Sequence, residues 1–263
     1  MPRIRLIAVD IDGTLLRTDN TLSPANLAAV RKAQASGIPV TLATGKPPWA
    51  MVWLAEEMGL HGPQVTANGA GIWTPGQGTE IISRLDWEDV HTALAYARDN
   101  TLPRALSGTH GVFCEPGWAP EGVEEALREV GEEPPTIVPD ACEAEPDPWK
   151  VITIARRGQP LPPAPALRTA HWVRTGSAFF EAIPSGSSKA TGVEEVCRRL
   201  GIAREAVAAI GDSENDLPLL RWAGVGIAMA HAPAEVRQAA DVLTTTNNED
   251  GVAKAIEKLL AGA

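Results

Sequence analysis

Apolar residues run in short unbroken stretches at both ends of the chain and lose that order in its middle. Ile4 and Leu6, Ile7, Ala8 and Val9 form an aliphatic run without alternation, the pattern of a strand covered on both faces. Ser23 before Pro24, then Leu27, Val30 and Ala33 on one face and Gly37 beyond, predict a helix over residues 24–36. A second apolar strand is expected at 38–43. It ends in Thr44-Gly45-Lys46, after which Pro47 and Pro48 open a helix to about Met58. A third strand over 65–67 runs into Asn68-Gly69-Ala70. Strand, helix, strand, helix, strand at these spacings predicts a right-handed parallel α/β sheet.

From about 81 to 184 prolines become dense, helical patterns persist only at 87–99 and 121–130, and short strand patterns fall at 112–113, 151–155, 171–173 and 179–183. Pro160 to Pro165 reads as a loop, because repeated prolines exclude an ordinary helix. This stretch is expected to be a separate α+β unit. After Ser187 the first pattern returns, with helices at 188–200, 215–222, 233–239 and 251–260 and strands at 207–210 and 225–228. The expected architecture is therefore a Rossmann-like, doubly wound parallel α/β core from residues 1–81 and 186–263, interrupted by an α+β insertion over 82–185.

Composition narrows the partners. A chain of 263 residues with 44% hydrophobic content can bury a substantial core, and its formal net charge of -10 disfavours polyanions. No Lys/Arg cluster exceeds Arg156-Arg157 or Arg198-Arg199, so neither nucleic acid nor an anionic membrane is expected as a partner. Cys114, Cys142 and Cys197 stand isolated, the N-terminal apolar run is too short for a signal peptide, and no run of 18 apolar residues occurs. A cytoplasmic monomer or homodimer is expected.

Four segments carry candidate chemistry. Asp10 and Asp12 end the first strand and meet Gly13 at once, and ligands of parallel sheets bind at the carboxyl ends of strands. A solvated Asp-Gly turn would look the same. A calcium loop would not, since counting from Asp10 puts Leu15 and Thr21 where Gly and Glu are needed. In Gly211-Asp212-Ser213-Glu214-Asn215-Asp216, Ser213 and Asp216 fit a helix-capping box, which accounts for neither Asp212 nor Asn215; a metal site accounts for both. Lys189 opens a helix, where a cation opposes the macrodipole at a cost of about 0.3–1 kcal/mol. Thr44-Gly45-Lys46 by itself is an ordinary strand-to-helix turn. Trp49 and Trp53, at i and i+4, are expected to pack their helix, whereas Trp118, Trp149 and Trp172 in the insertion could contact a sugar or base. His61, His91, His110 and His171 are scattered without metal spacing.

Asp10-Ile11-Asp12-Gly13-Thr14, Thr44-Gly45-Lys46, Lys189 and the run Gly211 through Asp216 occur in that order, and together they resemble the haloacid dehalogenase superfamily of phosphohydrolases. Within it the chain is similar to the Cof-like group, whose large α/β cap (type IIB) is inserted after the third strand. The likeness extends to Asn68-Gly69-Ala70 and to Asn248-Glu249-Asp250-Gly251-Val252-Ala253. It implies Asp10 as the nucleophile that becomes an aspartyl-phosphate, and Asp12 as general acid and then base. It implies Mg²⁺ held by the Asp10 carboxylate, the Asp12 backbone carbonyl and Asp212. Thr44, Gly45 and Lys189 would bind the phosphoryl group, with Asn215 and Asp216 orienting Lys189 or metal-bound water. The implied activity is Mg²⁺-dependent hydrolysis of small soluble phosphate monoesters such as sugar phosphates; sugar phosphotransfer and non-catalytic phosphate binding are the alternatives. The cap is expected to select the leaving group and close over the site on hinges near 81–85 and 183–186. Three departures from the family pattern stand out: Lys46 where arginine is usual, His231 where asparagine is common, and the prolines after Arg157 in place of much of a cap helix.

Overall fold

The structure, a computed structural model, describes residues 3–130, 133–155, 161–175 and 178–261. Two compact units divide the chain: Met1–Glu80 with Ser188–Ala263, and Ile81–Ser187.

The first unit begins with β1 (Leu6–Val9), α1 (Pro24–Ala35), β2 (Val40–Leu42) and α2 (Val52–Met58). Helix α1 starts where its sequence signals place it, with the Ser23 side chain accepting from the Asn26 N–H. The third strand departs from expectation. Strand β3 (Gln64–Thr66) touches β2 through one parallel bridge, Ala43 to Val65, and otherwise pairs antiparallel with β4 (Gly71–Thr74), which leads to β5 (Gly78–Ile81) in a three-stranded sheet. The cause lies in the turn: Ala67, Asn68 and Gly69 all have positive φ (49°, 52° and 90°), which reverses the chain at once and leaves no room for a crossover helix.

The second unit contributes α3 (Trp87–Asp99), β6 (Arg104–Gly108), β7 (Val112–Cys114), α4 (Pro120–Glu129), β8 (Thr136–Ile137), α5 (Ala141–Ala144), β9 (Pro148–Ile154), β10 (Ala170–Thr175) and β11 (Phe179–Pro184). Its sheet runs β10-β11-β9-β6-β7-β8, antiparallel except for β7 with β8. Of the three tryptophans that could have contacted a ligand, Trp118 and Trp149 are buried and Trp172 is partly buried, and all three pack within this unit. Trp149 is fully buried and donates Nε1–H to Ser107 Oγ (3.3 Å), Trp118 is buried beneath the Arg104 guanidinium (5.3 Å to the ring centroid), and Trp172 stacks on Phe180 at 4.7 Å. Arg156, Arg157 and Pro160 lie outside the described residues. Residues 161–167 are irregular, and the carbonyls of Pro162 and Pro165 accept from Tyr96 Oη and Trp172 Nε1.

The chain then returns through α6 (Lys189–Leu200), β12 (Val207–Gly211), α7 (Leu217–Trp222), β13 (Val225–Ala228), α8 (Ala234–Ala239), β14 (Val242–Leu243) and α9 (Gly251–Ala261). The five-stranded parallel sheet has the order β14-β13-β12-β1-β2, with aliphatic clusters on both faces, as the non-alternating runs require. Strand β1 lies between β12 and β2, with Val9 level with both Ile210 and Leu42. The chain leaves β1 toward β2 on one side and comes back on the other, which makes the carboxyl end of β1 a topological switch point. Among the described residues no helix is long and apolar enough to cross a membrane.

Candidate active site

Strand register brings the distant segments together. Because β2, β1 and β12 are parallel and in step, Thr44, Asp10 and Asp212 all emerge at one edge of the sheet. Asp10 leaves β1 in extended conformation, and Ile11–Leu15 make a π turn only by hydrogen-bond pattern, with Leu15 N–H donating to Asp10 O (3.2 Å) and Leu16 N–H to Ile11 O (3.0 Å) across a kink at Asp12 and Gly13. Gly13 within it has φ +75°, and a Cβ there would stand 2.6 Å from Asp212 Oδ2. Only glycine therefore allows the π turn and the Asp212 carboxylate to approach this closely.

The centre is a buried ion triad. Lys189 Nζ donates to Asp10 Oδ1 (2.6 Å) and to Asp216 Oδ1 (2.7 Å), and none of the three side chains is more than 5% exposed. Lys189 is the first residue of α6, behind a capping box in which Ser188 and Thr191 bond each other's backbone N–H. The cation that opposes the helix dipole is thus turned onto two carboxylates. Burial first, and then the neighbouring Asp216 charge, push the Asp10 carboxyl well above its ordinary range against the pull of Lys189. Burial acts against the Lys189 ammonium, but the charges of Asp10 and Asp216 hold its pKa above the usual lysine value. The other oxygen of Asp216 serves the backbone, with Oδ2 accepting from the N–H of Asp212 (3.1 Å) and of Ser213 (3.0 Å). Asp216 thus completes the capping box with Ser213 and bonds Lys189 at the same time.

Asp10, Asp212 and Asp216 each offer a carboxylate oxygen within 4.8 Å of the others. One lysine does not balance three acids, and hard oxygen donors crowded in this way are compatible with a divalent cation. Thr14 Oγ1 donates to Asp212 Oδ1 (2.7 Å), while His231 Nε2 lies 3.6 Å from Asp212 Oδ2. Bonding to Asp212 raises the His231 pKa. The Asp12 side chain, 36% exposed, turns to the ammonium of buried Lys46 at 3.3 Å.

Thr44 is buried, and its Oγ1 accepts from Lys46 N–H (3.1 Å). Of the two residues expected to orient Lys189 or metal-bound water, Asp216 bonds Lys189, while Asn215 Nδ2 donates to Asn68 Oδ1 (3.0 Å) and its Oδ1 accepts from Ser213 Oγ. Asn68 had no role assigned from sequence, yet its loop joins the parts of the site. Asn68 N–H donates to Thr44 O (2.9 Å), Ala67 N–H donates to Lys46 O (3.1 Å), and a Cβ on Gly69 would fall 2.1 Å from Ser188 O, at the start of α6. The sequence signal was the Asn-Gly pair after an apolar strand, which announces a turn and says nothing of what the turn holds. Trp49 and Trp53 also differ from expectation, being 39% and 45% exposed rather than packed.

The haloacid dehalogenase-like hydrolase family matches this chain over residues 7–256. The chain belongs to this family. Among curated relatives, a 5-amino-6-(5-phospho-D-ribitylamino)uracil phosphatase of Bacillus subtilis is 31% identical over 96% of this chain and 94% of its own length. A phosphoglycolate phosphatase of Natronomonas pharaonis is 32% identical, with 96% of each chain covered. Among solved structures, a sugar phosphatase of superfamily subclass IIB superimposes with a TM-score of 0.84 at 25% identity, over 97% of this chain and 98% of that one. A haloacid dehalogenase-like hydrolase from Bacteroides thetaiotaomicron gives 0.82 at 28% identity, over 98% and 100%. This member of the family has the Cof-like, type IIB arrangement: a parallel α/β core and an additional sheet-bearing unit inserted after β5.

Proposed function

We propose that this protein is a Mg²⁺-dependent phosphatase that hydrolyses small soluble phosphate monoesters through an aspartyl-phosphate on Asp10. The observation that carries the reading is the buried Asp10–Lys189–Asp216 triad at the switch point of the sheet, with Asp212 beside it. Lys189 occupies Asp10 Oδ1, so Oδ2 is the oxygen that attacks phosphorus. The phosphorus–oxygen bond to the alcohol breaks as the new one forms, and the leaving oxygen takes a proton from Asp12. Water then attacks the same phosphorus, Asp12 accepts its proton, and cleavage of the aspartyl-phosphate bond returns the Asp10 carboxylate and inorganic phosphate. Lys189 and the Thr44 hydroxyl hold the phosphoryl oxygens in both steps, with Gly45 giving them close backbone access.

Asp10, Asp212 and the backbone carbonyl of Asp12 would hold the cation, which when bound supplies positive charge against the phosphoryl oxygens. Asp216 is committed to Lys189 and the Asp212–Ser213 backbone, so it is a support and not a ligand. The inserted unit takes the leaving group in this scheme, and the described tryptophans Trp118 and Trp149 are too buried to take part.

The test is release of inorganic phosphate from a panel of phosphorylated metabolites and from an aryl phosphate. Turnover should vanish on chelation and return with Mg²⁺, while Ca²⁺, larger and content with more ligands, should support it poorly. Chelator-resistant turnover, or no phosphate release from any ester, would refute the proposal.

A further inference from the structure

We propose that His231 is a positioning residue for Asp212, fixing this carboxylate for a small octahedral cation; the inference rests on the cation reading above. The proposed phosphoryl transfer gives His231 no part. Its place is nonetheless built. The segment after β13 is pinned on both sides of the histidine, with Met229 N–H donating to Gly211 O (3.1 Å), Ala230 N–H to Thr245 O (3.4 Å) and Ala232 N–H to Met229 O (3.1 Å). From that fixed backbone the imidazole reaches Asp212 Oδ2 at 3.6 Å, so it ties the segment after β13 to the end of β12.

Asp212 is thereby held from three directions. Thr14, fully buried, donates to Oδ1 at 2.7 Å, Gly13 lies so near that a Cβ on it would meet Oδ2 at 2.6 Å, and His231 stands against that same oxygen. The ring is not a member of the acidic cluster, whose oxygens belong to Asp10, Asp212 and Asp216 among the described residues. It acts on the cation only through Asp212, as partners of ligating carboxylates do elsewhere, and their loss typically weakens metal affinity about 10–100-fold. A carboxylate fixed in direction matters most to Mg²⁺, which demands near-ideal octahedral geometry, and least to Ca²⁺, which tolerates irregular shells.

Calorimetric titration of the metal-free protein with Mg²⁺ and, separately, with Ca²⁺ reads this without any turnover. His231→Leu should weaken Mg²⁺ binding about 10–100-fold and Ca²⁺ binding much less, so that the preference for Mg²⁺ over Ca²⁺ falls. His231→Gln, whose amide nitrogen can stand where the ring Nε2 stands, should stay near wild type in both. If His231→Leu does not fold, His231→Ala carries the same comparison. Unchanged Mg²⁺ affinity in the Leu or Ala variant, equal losses for the two cations, or a Gln variant as weak as the Leu variant would overturn the inference. No saturable Mg²⁺ binding by the wild-type protein would overturn the cation reading itself, and the inference with it.

Discussion

At the scale of single residues, the site holds more like charge than stability alone would choose, and two substitutions separate what that charge does. Asp10→Asn keeps the Lys189–Asp216 pair and removes a carboxylate that burial and Asp216 already disfavour. It should abolish phosphate release while leaving the melting temperature unchanged or raised, the usual trade between activity and stability at such sites. Lys189→Met does the reverse. Two buried carboxylates then face each other without a counter-ion, and breaking a buried pair in this way costs about 3–5 kcal/mol. We expect loss of turnover together with a clear fall in melting temperature, checked by thermal unfolding of both variants. A Lys189→Met protein as stable as wild type would contradict the triad. The sequence marked Asp10, Lys189 and Asp216 separately, because each occupies a recognisable position at a strand end or a helix start. That one ammonium serves both acids was not legible, since the register of β1 with β12 brings residue 10 toward 216 and residue 189 reaches both from the start of α6.

Among elements, legibility followed the source of each element's stability. Helices α1 and α3 and strands β12 and β13 bury their own apolar pattern and were found where the pattern put them. Strand β6 was missed. Its residues Arg104, Ala105, Leu106, Ser107 and Gly108 make no apolar run, and it is a buried strand because β9 and β7 pair with it, a case of tertiary context overriding propensity. The hairpin β4–β5 escaped for the related reason that β5 alternates exposed and half-buried positions. Long-range clamps were equally invisible, and the one at the start of α3 makes a prediction. Asp89, 2% exposed, accepts from Arg168 N–H (2.7 Å), Thr169 N–H (2.8 Å) and Thr169 Oγ1 (2.8 Å), tying α3 to the entry of β10. Burial acts against its carboxylate, yet those donors hold the pKa below the ordinary value. A carboxyl whose folded pKa is depressed contributes stability above its unfolded pKa of about 3.9 and loses it as pH falls through the lower folded pKa. Asp89→Ala should therefore cost roughly 2–4 kcal/mol at neutral pH, and the gap to wild type should narrow below about pH 4. Denaturant unfolding at several pH values checks this, and a gap independent of pH would refute it.

For the whole molecule, the division of the chain carries a functional consequence. Every residue assigned to the phosphoryl group or the cation, from Asp10 to Gly45 and from Lys189 to Asp212, belongs to the unit that includes the parallel sheet, and none comes from Ile81–Ser187. The two parts of a phosphate monoester differ in the same way: the phosphoryl group is common to all of them, while the leaving alcohol distinguishes one from another. If the parallel-sheet unit recognises what is common, residues 82–185 are left to recognise what differs and to keep water from the aspartyl-phosphate. Alanine at exposed positions of that unit, such as Trp87, His110 and His171, should reorder a panel of phosphorylated metabolites by kcat/KM much more than it changes turnover of a small aryl phosphate. The aryl phosphate is the internal control, because its leaving group is good enough to depart with little recognition. A scan that left the ranking intact would remove selection from the insertion. A scan that depressed aryl phosphate turnover as strongly as everything else would place part of the chemical step there, and the separation of labour between the two units would fail.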